Sequence, residues 1–182
     1  ISWGIPWVAD MYYFCDDIIA EVVKSGISAN IARGATVFTD DFDPHTYPAC
    51  AESVALAETW HNYNDGQIKI DACIHAEYTS NPKLWAWMAD FAGKYGLQMH
   101  VHLSETKSEH TACLQRWGKT PAAVFEEYGL WNTPAIAAHC VWTTPEDWAI
   151  LAQKGVTAVH NPMSNLKLGS GVAPVVDLKK AG

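Results

Sequence analysis

Six short β-type runs, each followed by a stretch with helical spacing, restrict the fold of this sequence more than any other feature. The runs are Trp7 to Met11, Ser28 to Ile31, Ile68 to Ile74, the segment beginning Met99-His100-Val101-His102, Pro134 to Val141, and Val156 to Val159. Cys15 to Ser25 is expected to be a helix through Ile18, Ile19, Val22 and Val23; Asp16 and Asp17 lie where the helix dipole favours acids, and Gly26 stops it. Further helices are expected from Ala49 to Tyr63, from Asn81-Pro82 to Tyr95, over Ser108 to Tyr128 with a break near Gly118 and Pro121, from Thr144-Pro145 to Gly155, and from Ala173 to Lys180. No hairpin signature joins two runs, so the strands are expected to be parallel with helical crossovers.

Two architectures satisfy that rhythm, an open doubly wound sheet and a (β/α) barrel. The sequence has no glycine-rich phosphate loop of the GxGxxG or GxxxxGK type, which removes the best argument for the open sheet. Ionisable residues recur at the C-terminal ends of the runs: Asp10, Arg33, His75, Glu105, His139 and His160. Barrels build active sites on that rim, so a TIM-type barrel is the expected fold.

The stretch from Met99 to Thr106 carries the most chemistry. Strand alternation puts His100, His102 and Ser104 on one face and Met99, Val101 and Leu103 on the other. Neutral imidazoles on one side of a strand can coordinate a metal, and Glu105 falls where the strand would end, beside such a ligand. A metal-activated water next to a carboxylate is the equipment of hydrolytic metal catalysis. A pair of hydrogen-bonded core histidines with a solvated glutamate is the other reading of the same residues.

Composition narrows the classes. A chain of 182 residues that is 49% hydrophobic can bury a core as one domain or as part of a larger one, and nine tryptophans exclude disorder. A formal charge of -8 argues against a nucleic-acid binder. No apolar run is long enough to cross a bilayer, and no signal-peptide pattern opens the sequence. Cys15, Cys50, Cys73, Cys113 and Cys140 are scattered without a CxxC pair, which fits a reducing cytoplasm.

Several motifs in order carry a resemblance that covers nearly all of the chain. They are Asp10-Met11-Tyr12-Tyr13-Phe14, Ala32-Arg33-Gly34, His102-Leu103-Ser104-Glu105-Thr106, Ala138-His139-Cys140-Val141 and the run from His160-Asn161-Pro162 to Ala173-Pro174. Together they resemble the amidohydrolase superfamily, in its methylthioadenosine/S-adenosylhomocysteine deaminase and chlorohydrolase branch. The resemblance implies that His102 is a metal ligand and that Glu105 shuttles a proton from the attacking water to the substrate ring nitrogen. It implies that His139 hydrogen-bonds that water and that His75 contacts the substrate. Arg33 would reach the substrate of a neighbouring subunit, as in some members of the branch. One divalent ion, Zn2+ or alternatively Fe2+, would be the cofactor, and the substrate a small heterocycle.

Other residues receive structural readings. His100 is expected to be buried and hydrogen-bonded one layer deeper than His102, and His160 with Asn161 and Asn165 to shape a loop. His45, His61 and His110 are expected to be solvated, and Trp85, Trp87 and Trp148 to pack helices on the barrel.

The resemblance also implies parts that the sequence lacks. Paired histidines on a first strand, an aspartate on an eighth strand and a small β-sandwich have no counterpart. Residues 1–182 are therefore expected to be the central part of a single metal-dependent hydrolase barrel domain, an incomplete (β/α)8 barrel holding strands 2 to 7. One protein ligand cannot hold a catalytic ion tightly, and two open sheet edges would favour a homo-oligomer. The expected reaction is deamination of a purine-like ring with release of ammonia. The alternatives are hydrolysis of a triazine or other heterocycle, and an inactive fragment. The loop Asp40-Asp41-Phe42-Asp43-Pro44-His45 is acidic where adenosyl-type members can offer an arginine, which leaves the substrate open.

Overall fold

The computed structural model describes residues 2–182. Its centre is one six-stranded, all-parallel sheet whose spatial order β1-β2-β3-β4-β5-β6 follows the chain. The strands are β1 (Trp7–Tyr12), β2 (Ser28–Arg33), β3 (Ile68–Ile74), β4 (Met99–Leu103), β5 (Ala135–His139) and β6 (Thr157–Val159). Neighbours in sequence are neighbours in the sheet at every step, which is the connectivity of a barrel wall and not of a doubly wound sheet. The fold is an incomplete TIM-type barrel, open between β1 and β6.

The crossovers carry α1 (Cys15–Ser25), α2 (Pro48–Trp60), the single turn α3 (Tyr63–Gly66), α4 (Pro82–Tyr95), α5 (Lys107–Trp117), α6 (Pro121–Glu127) and α7 (Pro145–Lys154); α8 (Pro162–Leu168) and α9 (Val175–Ala181) follow β6. Proline opens several of them and a left-handed glycine closes most, among them Gly26, Gly96, Gly118 and Gly155. Of the boundaries that differ from expectation, two show their local reasons directly. α2 stops at Trp60 because Asn62, Asn64 and Asp65 all take left-handed backbone angles, which no helix can continue through. β2 runs on to Arg33 because β1 pairs with it as far as Tyr12↔Arg33. That pairing also puts Asp10 inside β1 and not at its tip.

Helix α8 departs from the loop expected over the same residues. Its end signals are present in Pro162 and Gly169, but Met163, Leu166 and Leu168 are exposed, so no apolar stripe announces it.

The hydrophobic core lies between the sheet and the helices. Ala29, Ile31, Ile68, Ile70, Met99, Val101, Leu103 and Ala137 point into it, with Leu84, Trp85, Met88 and Phe125 closing it from the helical side. Trp85 is fully buried and meets Trp117, Phe125 and Tyr128 edge-on, and Trp87 stacks on Phe91 against the core, so these two tryptophans pack as expected; Trp148 is partly buried and its Nε1 donates to Thr143 Oγ1 at 3.0 Å. The opposite face is polar. There Trp7 Nε1 donates to Asn30 Oδ1 at 2.8 Å, Asn30 Nδ2 donates to Asp71 Oδ1 at 2.7 Å, and Gln98 Nε2 donates to Asp71 Oδ2 at 3.3 Å. All five cysteines are free and buried. Among the described residues no helix is long and apolar enough to cross a membrane.

Candidate active site

Alternation along β4 faces His102 away from the helix-packed core, onto the polar side of the sheet. His75, just past β3, lies edge-on to it with ring centroids 4.9 Å apart, and the His139 ring lies 5.3 Å away on its other side. Three strand tips thus bring three imidazoles together.

Strict alternation would not have done this. In the ladder His139 pairs with Leu103, a core-facing residue, and Glu105 shares Leu103's parity. The backbone breaks the pattern at both tips: Ser104 has φ 46°, His139 φ 75° and Cys140 φ 49°. Such angles strain residues other than glycine, and they cluster at this rim. Ser104 consequently turns from the polar face to helix α5, where its Oγ lies 3.2 Å from His110 Nδ1. Glu105 takes the place beside the histidines, its Oε1 3.5 Å from His139 Nδ1. The expectation that Ser104 shares a face with His102 is corrected, and His110, expected in solvent, is buried.

The outer nitrogens fix the tautomers. Thr79 donates its hydroxyl proton to the Ala76 carbonyl at 3.2 Å, so its oxygen accepts from His75 Nδ1 at 2.9 Å. Asn165 Oδ1 accepts from His139 Nδ1 at 2.8 Å, and Asn161 Oδ1 accepts from the His139 backbone N–H at 3.2 Å. His75 therefore carries its proton on Nδ1 and keeps a lone pair on Nε2, and the Asn165 oxygen calls for a proton on His139 Nδ1 as well. Burial, helped by the neighbouring His75, His139 and His100, pushes the His102 imidazole down to about 3. Burial lowers His75 as well, against the pull of Glu105. His102 and His75 are neutral bases at physiological pH.

A second carboxylate holds the loop. Glu109 accepts the backbone N–H groups of Ser104 at 3.0 Å, Glu105 at 2.9 Å and Thr106 at 3.4 Å, while Thr106 caps α5 through the Glu109 N–H. Glu109 is not among the residues expected at the site, although Thr106-x-x-Glu109 has the spacing of a capping box. Burial pushes this carboxyl up to about 7 against the pull of the three amides.

The remaining candidates lie apart. Arg33 ends β2 but faces the helices, where its guanidinium pairs with Glu52, donates to the Gly34 carbonyl and lies 4.7 Å from the Tyr13 ring centroid. It borders a separate cleft of about 550 Å³ together with Phe14, Cys15 and Leu56. His100 is buried as expected but, among the described residues, not hydrogen-bonded: its Nδ1 has no partner and stands 3.8 Å from Asp71. His160 and His45 are exposed. His61 is not solvated, since its Nδ1 accepts the Ile70 N–H at 3.2 Å.

The donor chemistry of His102, a neutral and buried imidazole, suits a divalent ion, whereas the donor number does not. Among the described residues no group of three or more His, Cys, Asp or Glu could hold a metal.

Fold and rim together define a class: a barrel-type α/β protein with imidazoles and a carboxylate converging at the C-terminal strand ends. The chain belongs to the amidohydrolase family, whose sequence pattern matches residues 1–182. It is 39% identical over 182 residues to a 5-methylthioadenosine/S-adenosylhomocysteine deaminase of Dictyoglomus thermophilum, covering 100% of this chain and 42% of that protein. Among solved structures it superposes on a zinc-bound adenosine deaminase from Xanthomonas campestris with a TM-score of 0.87 at 27% identity, covering 98% of this chain and 40% of that one. A zinc complex of an atrazine chlorohydrolase from Arthrobacter aurescens shares the fold, with a TM-score of 0.85 at 24% identity over 98% of this chain and 43% of that one. The chain thus spans less than half the length of these relatives.

Proposed function

We propose that these 182 residues are the central part of a metal-dependent hydrolytic deaminase that removes the exocyclic amine of a purine-like ring and releases ammonia. The observation that carries this is the placing of Glu105 beside His139, whose ring neighbours that of His102, with the His75 ring against His102 as well. A divalent ion such as zinc, or iron(II), would act as a Lewis acid and bring the water pKa near about 7. His102 would contribute one ligand to it, and the remaining ligands would come from parts of the protein outside this stretch.

The chain's own groups then have separate tasks. Glu105 takes the proton of the attacking water and returns it to the ring nitrogen of the substrate, acting as base and then as acid. His139, with its Nδ1 tied to Asn165, offers Nε2 as the acceptor that orients the water. His75 Nε2 accepts from the substrate. Arg33 would serve a neighbouring subunit of a homo-oligomer, since it faces away from the histidines. The substrate is a small heterocycle, with no nucleic-acid or membrane partner, and the free cysteines fit the cytoplasm.

The test is ammonia release from methylthioadenosine, S-adenosylhomocysteine and adenosine by these residues expressed with their flanking coding sequence and zinc. Ammonia is expected from at least one of them. Chloride release from a chlorotriazine, without ammonia from any purine, would instead establish the chlorohydrolase reading. Neither product from a zinc-loaded preparation would make the segment catalytically inactive.

A further inference from the structure

Helix α5 touches two loops of the site, one at each end. At its start Glu109 grips the backbone of Ser104, Glu105 and Thr106. At its end Arg116 and Trp117 donate to one carboxylate, that of Glu77, with Trp117 Nε1 2.7 Å from Oε1 and the Arg116 guanidinium on Oε2. Glu77 opens the single 3-10 turn Glu77–Thr79 that follows His75, and Thr79 at the other end of that turn is the partner of His75 Nδ1. The Glu77 side chain is 2% exposed, while that of Arg116 is 42% exposed.

A buried carboxylate is tolerated only when its oxygens are paired, and here α5 supplies both partners. What the pairing achieves is mechanical: the turn that aims His75 is tied to the helix that aims Glu105.

We propose that Glu77 is a positioning residue, which uses α5 as a splint to set the separation between the His75 ring and the Glu105 carboxylate. The proposal rests on the reading that these two groups serve one substrate. Its signature is loosening of the His75 ring when either end of the Glu77 pairing is removed.

The test uses Glu77→Gln, which keeps the shape and an acceptor for Trp117 but discharges the Arg116 contact, and Arg116→Gln, which discharges it from the exposed side. Nitrogen NMR of the imidazoles in the 182-residue chain reads the tautomers. Wild type is expected to show His75 in a single Nδ1–H form. Both variants are expected to show mixed forms, with His45 unchanged and the double variant no worse than the singles. An unaltered His75 signal in Arg116→Gln, whatever happens to the melting temperature, would overturn the proposal and leave Glu77 a stabilising residue only; this holds even if Glu77→Gln fails to fold. In a preparation that releases ammonia, kcat/KM should fall by roughly tenfold to a hundredfold in both variants. A wild type that releases none refutes the deaminase reading alone, because the NMR result still decides the splint.

Discussion

The Nδ1 of His139 lies 2.8 Å from Oδ1 of Asn165, across 26 residues of chain. The bond joins a strained strand tip to the short helix α8 and sets which imidazole nitrogen is left free. Asn165 Nδ2 is buried without a partner, so the amide is held there by its oxygen alone. Asn165→Ala should cost about 1–3 kcal/mol of stability. It should also lower kcat/KM by roughly tenfold to a hundredfold, as the His139 ring loses its orientation. Asn165→Asp keeps the acceptor and should retain most activity. Steady-state ammonia release with parallel thermal melts checks both, and equal losses in the two variants would contradict the orienting role.

Glu105→Gln tests the proton shuttle directly. The amide keeps the size of the side chain but cannot exchange a proton, so kcat should fall by roughly 10² to 10⁴. Glu105 is partly exposed and, among the described residues, receives no hydrogen bond on its carboxylate oxygens beyond the 3.5 Å approach of His139, so the melting temperature should hardly move. A variant with near wild-type kcat would assign the shuttle to another group.

Much of this arrangement can be read from the residues themselves, and the rest fails for identifiable reasons. Alternation in Met99-His100-Val101-His102-Leu103 is strict because one face packs helices and the other does not, so β4 and the direction of His102 follow from the sequence. Beyond Leu103 the period breaks at Ser104, where a serine takes a left-handed angle that its residue type does not advertise. The swap of Ser104 with Glu105 is therefore invisible to periodicity. Glu109 has a legible capping-box spacing, whereas Glu77 has no such signal: its burial depends on Arg116 and Trp117, about forty positions away along the chain. Asn165 reads as a loop residue because α8 has no apolar stripe, its non-polar side chains facing solvent.

Asp71 should make stability depend on pH. Burial pushes its carboxyl up to about 7 from 3.8, while Asn30 and Gln98 donate to it and Lys69 also favours the charge. His100 stands 3.8 Å away but is itself pushed down to about 4, so it offers no positive charge near neutrality. A folded pKa above the unfolded value means that the folded state holds the proton more tightly. The stabilisation is then complete below about pH 4 and is lost as pH rises through about 7. Raising the carboxyl from 3.8 to about 7 is worth at most about 4 kcal/mol. Because His100 and His102 titrate in the opposite sense, the comparison to make is with Asp71→Asn. The stability of wild type relative to that variant, from urea unfolding, should decline between pH 4 and pH 7. A constant difference would mean that Asp71 ionises normally in the fold.

The open edge of β1 makes a separate prediction about association. Ser28 N–H donates to the Pro6 carbonyl and Gly34 N–H to the Tyr12 carbonyl. In a parallel ladder alternate residues face the same neighbour, so the even-numbered residues of β1 bond to β2. Trp7, Ala9 and Met11 then present their N–H and C=O groups to the gap between β1 and β6. A free row of this kind pairs readily with a strand of another copy, and Trp7 and Tyr12 add exposed apolar surface beside it. The 20.0 kDa chain should therefore sediment as a larger species as its concentration rises. Ala9→Pro removes one donor from the free edge and none from the β1–β2 ladder, so it should weaken association with little loss of fold. Val8→Pro removes a donor on the β2 side and should destabilise the sheet itself. Sedimentation velocity on the two variants separates these effects: association untouched by Ala9→Pro would mean that the copies meet elsewhere than along β1.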